Sequence, residues 1–123
     1  MTNALNSATV RARAGNVKAV VFYGNPYYRS GLPQDRGTAT SGAGIGLLKN
    51  VIEGSNEVPS EFSPIVRDFC NTGDPVCQGM LHIKLSDLGA MLGSGGPAFA
   101  DHHYEGKPQE VEAIQFAIQQ LQT

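Results

Sequence analysis

Two short runs of apolar and β-branched residues recur along the chain, and each is followed by residues typical of turns. The first run covers residues 17–23 and stops at Gly24-Asn25-Pro26, while the second covers residues 64–69 and stops shortly before a Gly-Asp-Pro sequence. Their length and nearly continuous apolar character are typical of strands buried on both faces, as in a parallel sheet. Residues 27–46, which lie between them, are rich in Gly, Pro, Ser and Thr and predict a long surface loop.

Helical periodicity is found at both ends of the chain. Met1, Leu5 and Ala8 fit one face of an amphipathic helix, although no residue offers a cap at its start. Near the C-terminus a helix is predicted to begin close to Pro108, with four apolar residues in one stripe: Val111, Ile114, Ile118 and Leu121. The apolar segments 47–52 and 80–92 are of uncertain type, because the leucines of the second fit both helical and alternating patterns.

Strands that alternate with helices favour an α/β fold with a parallel sheet. Two predicted strands are too few to complete such a sheet, because helices must cover both of its faces. The chain has 123 residues, which permits one domain, and its 41% of hydrophobic and 16% of charged residues suit a folded globular protein. The sequence therefore predicts a single α/β domain whose sheet is incomplete.

Charge and hydropathy argue against two classes of function. Nine Lys+Arg against 11 Asp+Glu give a net charge of −2, which offers no basic surface for a nucleic acid. No apolar run approaches the roughly 18 residues of a membrane-spanning helix. The first eight residues have neither the basic start nor the apolar stretch of a signal peptide. The sequence is thus expected to be that of a globular protein without a membrane span.

Cys70 and Cys77 enclose a Gly-Asp-Pro turn directly after the second predicted strand. Their C-x6-C spacing differs from the C-x2-C spacing of zinc sites. A disulfide is the simpler interpretation, and a pair of free buried thiols is the alternative. In the chain-entropy model, a bridge that closes a loop of eight residues contributes about 2.5 kcal/mol, so it would act mainly on the local loop.

Asp74 lies in this cysteine loop, at the carboxyl end of a predicted strand, where α/β sheets place their sites. Taken alone, an aspartate before a proline is more commonly a turn residue. Asp101, His102 and His103 precede the C-terminal helix, but adjacent histidines in an extended segment face opposite ways, so a metal pair is weakly supported. One histidine could instead be a general base oriented by Asp74, in the Asp-then-His order of α/β-hydrolases.

The serine that such a base would serve has no recognisable motif. In α/β-hydrolases this serine lies in a G-x-S-x-G turn between a strand and a helix. None of the eight serines has glycine at both the −2 and the +2 position, and the sequence LGSGG at residues 92–96 comes nearest. Ser41 and Ser94 are therefore interpreted as loop residues.

Three segments resemble the cutinase family of secreted serine esterases, and the resemblance covers nearly the whole chain. Residues 20–26, VVFYGNP, are similar to a strand of that family with its Gly-Asn-Pro-type turn. Residues 70–77, CNTGDPVC, are similar to its specific C-N-x-G-D-x-x-C signature. Residues 102–106, HHYEG, resemble its H-x-x-Y-G turn before the last helix.

The resemblance implies a small three-layer α/β-hydrolase, in which a mostly parallel sheet lies between helices. It implies that Asp74 is the triad acid and that His102, four residues before Gly106, is the triad base in preference to His103. It also implies a disulfide between the two cysteines. Because the nucleophile turn of the family lies upstream of these motifs, we expect residues 1–123 to be the C-terminal portion of one domain.

The resemblance further implies secretion and the hydrolysis of carboxylic esters, namely cutin-like polyesters, acyl esters or acetylated wall polymers, without a metal or organic cofactor. A chain that lacks the serine is expected to be inactive alone. Two other hypotheses remain, a non-catalytic relative that binds a wall polymer or a protein, and a less favoured metal-binding protein that uses Asp101, His102 and His103. Neither the acyl length of the ester nor the oligomeric state is indicated by the sequence.

Overall fold

A parallel three-stranded sheet lies at the centre of the structure, a computed structural model that describes residues 2–42, 57–79 and 102–123. Strand β1 is Val20–Tyr23, β2 is Asp35–Arg36 and β3 is Val66–Phe69, and their order is β1-β3-β2. Val20 pairs with Val66 on one side of β3, and Asp35 pairs with Asp68 on the other. The parallel sheet with its helices confirms the predicted α/β class. The uncertain segments 47–52 and 80–92 lie outside the described residues.

Strand β2 lies within the region predicted to be a surface loop, and this prediction was wrong for two residues. Backbone hydrogen bonds fix it to the central strand, from Asp68 N to Gln34 O and from Cys70 N to Arg36 O, both at 2.9 Å. The strand consists of one acidic and one basic residue, so no apolar alternation marks it. Its pairing with β3 therefore depends on tertiary contacts that the local sequence does not display.

The main core lies under one face of β1. Val20 and Phe22 pack there with Leu5, Phe62 and Val66, all of which are buried.

Tyr23 is exposed, so β1 is not buried on both faces as predicted, whereas β3 is buried except at Arg67. Strand β1 also begins three residues later than predicted, because a 3-10 turn at Ala14–Asn16 precedes its entry into the sheet.

The N-terminal segment forms two short helices, α1 at Thr2–Leu5 and α2 at Ala8–Arg11, in place of the single predicted helix. Ser7 separates them, and its side chain caps α2 by accepting a hydrogen bond from Val10 N at 3.3 Å. Leu5 is buried in the core as its position in the pattern predicts, but Ala8 is exposed. The helix axis therefore breaks at a serine that the sequence analysis had not interpreted as a cap.

The C-terminal helix, α3, covers Pro108–Leu121 as predicted, but it packs through a different face. Its two buried side chains are Ala113 and Phe116, at 4% and 6% exposure. Ala113 packs with Phe69 and Tyr104, and the Arg67 guanidinium lies 4.1 Å from the centroid of the Phe116 ring. The predicted apolar stripe is at least half exposed at every position: Val111, Ile114, Ile118 and Leu121. None of the helices in the described ranges is long and apolar enough to cross a membrane.

A buried carboxyl group occupies the middle of the sheet. Asp68 on β3 is 4% exposed, and its Oδ2 accepts a hydrogen bond of 2.8 Å from Asn25 Nδ2. Its Oδ1 has no hydrogen-bond partner among the described residues. Burial is the main reason that the pKa of Asp68 rises from 3.8 to about 7, and the charge of Asp35 on β2 raises it further.

We expect Phe116→Ala to lower the free energy of unfolding by about 3–5 kcal/mol, because it empties a buried site beneath Arg67. The matched variant Ile118→Ala removes a half-exposed side chain from the same helix and should change the free energy by no more than about 0.5 kcal/mol. Urea unfolding followed by circular dichroism measures both. Equal losses in the two variants would show that α3 packs through its apolar stripe instead.

We also expect Asp68→Asn to remove a pH-dependent loss of stability. Because the folded-state pKa is raised, the folded chain keeps a proton that the unfolded chain releases, so stability falls between about pH 4 and 7. The stability of the variant relative to wild type should rise across this window and level off above it. Glu61→Gln should do the opposite at lower pH: the hydrogen bond from Arg11 lowers the pKa of Glu61 from 4.5, so the stability of this variant relative to wild type should fall as the pH rises toward 4.5 and level off above it. Urea unfolding at several pH values measures both, and a pH-independent difference for Asp68→Asn would contradict the prediction.

Candidate active site

The loop that follows β3 buries Asp74 completely. A disulfide between Cys70 and Cys77 closes this loop, with Cα atoms 5.8 Å apart, and confirms the pairing expected from the sequence. Two backbone bonds of 3.0 Å shape the chain inside it, from Asp74 N to Asn71 O and from Gln78 N to Asp74 O. The carboxyl group of Asp74 is thereby held below the surface at 0% exposure.

Hydrogen-bond donors surround both oxygens of Asp74. Its Oδ1 accepts from Val76 N at 2.8 Å and from Cys77 N at 3.4 Å. Its Oδ2 accepts from the phenolic hydroxyl of Tyr104 at 2.8 Å. Donors on every side of a buried carboxyl group compensate for the water it has lost and are the arrangement that suits a carboxylate.

His102 completes the shell of donors around Asp74. Its Nδ1 lies 3.0 Å from Oδ2 and 3.1 Å from Oδ1 of the carboxylate. Because the carboxylate only accepts, Nδ1 carries the proton in this contact. The His102 side chain is 35% exposed, so its ring contacts the buried Asp74 on one side and solvent on the other. Of the two adjacent histidines, it is His102 that contacts Asp74, while His103 is exposed.

Tyr104 is a residue of this site that the sequence analysis missed. Its hydroxyl accepts a hydrogen bond from Asn71 N at 3.0 Å, which leaves its own proton free to point at Asp74. Burial is the main reason that the pKa of Tyr104 is raised, and the hydrogen bond to Asp74 raises it further. The only signal in the sequence was a tyrosine that follows the histidine pair.

Gly24 lies directly against the imidazole ring of His102. Its φ of +57° is one that residues with a side chain rarely adopt. A Cβ atom at this position would overlap the His102 ring and would lie 2.8 Å from Oδ2 of Asp74. The local sequence predicts only a turn at Gly24. Its absence of a side chain is what lets β1 end against the acid and the histidine.

The metal-binding hypothesis receives no support from the described part of the chain. Within residues 2–42, 57–79 and 102–123, no group of three His, Cys, Asp or Glu side chains could hold a metal ion. His102 faces Asp74 and His103 is exposed, while Asp101 lies outside the described residues.

The pair formed by Asp74 and His102 lies beyond the carboxyl ends of β1 and β3, where ligand sites of parallel sheets are found. A buried carboxylate that holds Nδ1–H fixes the imidazole tautomer, so that the other ring nitrogen can accept a proton. It also stabilises the imidazolium ion that forms. The arrangement is chemically suited to a general base that activates a hydroxyl nucleophile.

Comparison with known proteins relates the chain to a protein family and to a solved structure. A family model described as Cutinase matches residues 1–121. A solved structure titled as an iodinated complex of acetyl xylan esterase is similar with a TM-score of 0.52 and 24% sequence identity. The match covers 85% of this chain and 40% of the esterase chain, so this chain spans less than half of that protein. No curated protein matches.

Proposed function

The chain belongs to the cutinase family and has its α/β-hydrolase fold, and from this premise we propose that it carries the acid and the base of a carboxylic ester hydrolase. The observation that supports the proposal is the contact of His102 Nδ1 with both oxygens of the fully buried Asp74. The similar solved structure is titled acetyl xylan esterase, a name that states an ester substrate for that protein and is consistent with the proposal.

Each residue has a distinct role in the proposed reaction. His102 removes the proton from a serine hydroxyl that attacks the ester carbonyl, and it later returns this proton to the leaving alcohol. Asp74 keeps the proton on Nδ1 and stabilises the imidazolium that forms. Tyr104 touches the acid and not the histidine nitrogen, so it acts as a positioning residue for Asp74.

The proposed substrates are cutin-like polyesters, short acyl esters or acetylated polysaccharides, and secretion is proposed with them. The nucleophile is proposed to come from outside these 123 residues, because no serine here stands in a G-x-S-x-G sequence. The chain alone would then have a base with no hydroxyl to activate. Loss of the nucleophilic serine lowers kcat by on the order of 10⁶ in subtilisin, so the expected turnover is at background level.

A chimera tests this proposal directly. In it, this chain replaces the matching part of acetyl xylan esterase, so that the nucleophile proposed to lie in the remainder of that protein meets Asp74 and His102. We expect hydrolysis of p-nitrophenyl acetate by the chimera, lost to background in His102→Ala and retained in His103→Ala, the matched control at an exposed neighbour. The chain alone should hydrolyse the ester no faster than its own His102→Ala variant.

Two outcomes would contradict the proposal. A chimera that melts cooperatively but hydrolyses no ester would reject the esterase function and favour the non-catalytic binding alternative. Turnover by the chain alone that disappears in His102→Ala would support the esterase function but would show that its nucleophile lies within these residues.

A further inference from the structure

A second buried acid, Asp68, fixes the Gly24 turn beneath His102 through Asn25. Gly24, which contacts the ring, is fixed by its own backbone through a 2.9 Å hydrogen bond from Gly24 N to Phe69 O. The next residue, Asn25, is 7% exposed and uses its side chain in both directions. Its Oδ1 accepts from Tyr27 N at 3.0 Å, and its Nδ2 donates to Asp68 Oδ2 at 2.8 Å.

This arrangement connects the turn after β1 with the centre of the sheet. Asn25 also accepts a hydrogen bond from Tyr28 N through its backbone oxygen, so the turn closes around this one residue. Asp68 stands on the central strand, level with Phe22 on β1 and with Asp35 on β2. The same strand continues into the loop that holds Asp74. The side-chain hydrogen bond from Asn25 to Asp68 therefore fixes the turn after β1 to β3, the strand that leads to Asp74.

The network has no direct contact with the reacting groups. Among the described residues, the side chain of Asn25 hydrogen-bonds to Asp68 and to Tyr27. Gly24, adjacent to Asn25, lies so close to the His102 ring and to Asp74 that a Cβ atom there would collide with both. Any displacement of the turn would open space beside the imidazole, which would then be free to rotate away from the carboxylate. A buried, hydrogen-bonded Asn–Asp pair costs stability unless its geometry is complete, and a role in placing the turn accounts for its presence.

We infer that Asn25, held by Asp68, is a positioning residue for His102: it keeps the backbone of Gly24 against the imidazole and so maintains the contact of Nδ1 with Asp74. The inference deepens the proposed function, on which its catalytic meaning rests. Gly24 forms the contact surface and Asp68 is the anchor, and the side chain of Asn25 connects the two through a hydrogen bond that a substitution can remove without touching His102 or Asp74.

The tautomer of His102 reports this positioning without any esterase assay. Long-range ¹H–¹⁵N spectra distinguish Nδ1–H from Nε2–H imidazole, and exposed His103 in the same spectrum gives the reference for an unheld ring. Wild type should show His102 as the Nδ1–H form. In Asn25→Ala the ring shifts should move toward those of His103, since the turn is no longer tied to β3.

Three further variants separate positioning from a general loss of structure. Asn25→Asp keeps the acceptor for Tyr27 N and, recorded at a pH where both carboxyl groups are ionised, cannot exchange a hydrogen bond with Asp68, so it should shift the His102 signals even where the alanine variant unfolds. Asp68→Asn keeps an acceptor for Asn25 and should preserve the wild-type tautomer. Asn6→Ala is the matched control, because the Asn6 amide also donates a hydrogen bond to a residue distant in the sequence, here the backbone oxygen of Glu57 at 2.9 Å, and it should leave His102 unchanged.

An unshifted His102 spectrum in both Asn25→Asp and a folded Asn25→Ala would overturn the inference. So would an equal shift in Asn6→Ala, since any loosening of the chain would then suffice. Because the readout does not need turnover, a shifted tautomer together with an inactive chimera would reject the proposed function and leave the positioning intact. An active chimera together with an unshifted His102 tautomer in the Asn25 variants would support the proposed function and reject the positioning role of Asn25.

Discussion

A carboxylate removed from water must be surrounded by donors, and the burial of Asp74 imposes this constraint on the whole site. Its donors come from separate parts of the chain, namely the backbone of its own loop, the hydroxyl of Tyr104 and the ring of His102. The loop must therefore be closed, and the segment before α3 must lie across it. The Cys70–Cys77 disulfide supplies the closure, since it bounds the loop on both sides of the acid.

Strand β3 links the two buried acids of the structure. Asp68 lies within the strand and Asp74 in the loop that follows. Asp68 accepts a hydrogen bond from the Asn25 amide in the turn after β1, and Asp74 accepts one from the Tyr104 hydroxyl in the segment before α3. The difference in their surroundings is physical: Asp74 has donors on both oxygens, whereas Asp68 has one donor and faces the like charge of Asp35. The surroundings of Asp68 raise its pKa to about 7, so that this carboxyl group favours a proton near neutral pH.

Apolar runs, spacing and the family motifs sufficed to predict the strands β1 and β3, the disulfide and the meeting of Asp74 with a histidine. They did not predict the two-residue strand β2, since its residues are polar and pair only through the backbone. They also assigned the wrong face to α3, because Ala113 and Phe116 are buried by what lies against the helix and not by their periodicity. The roles of Tyr104 and Asn25 depend on contacts between residues 30 and 43 positions apart in the sequence, which no local pattern encodes.

The claim on which this interpretation depends is that buried Asp74 holds the Nδ1 proton of His102. Solvent exchange of the imidazole N–H protons, followed in ¹⁵N-histidine-labelled protein by downfield ¹H NMR, measures this most directly. The structure predicts a slowly exchanging proton on Nδ1 of His102, since the Asp74 side of that contact is fully buried, and fast exchange at exposed His103. Exchange at His102 as fast as at His103 would contradict the assignment of these two residues as acid and base.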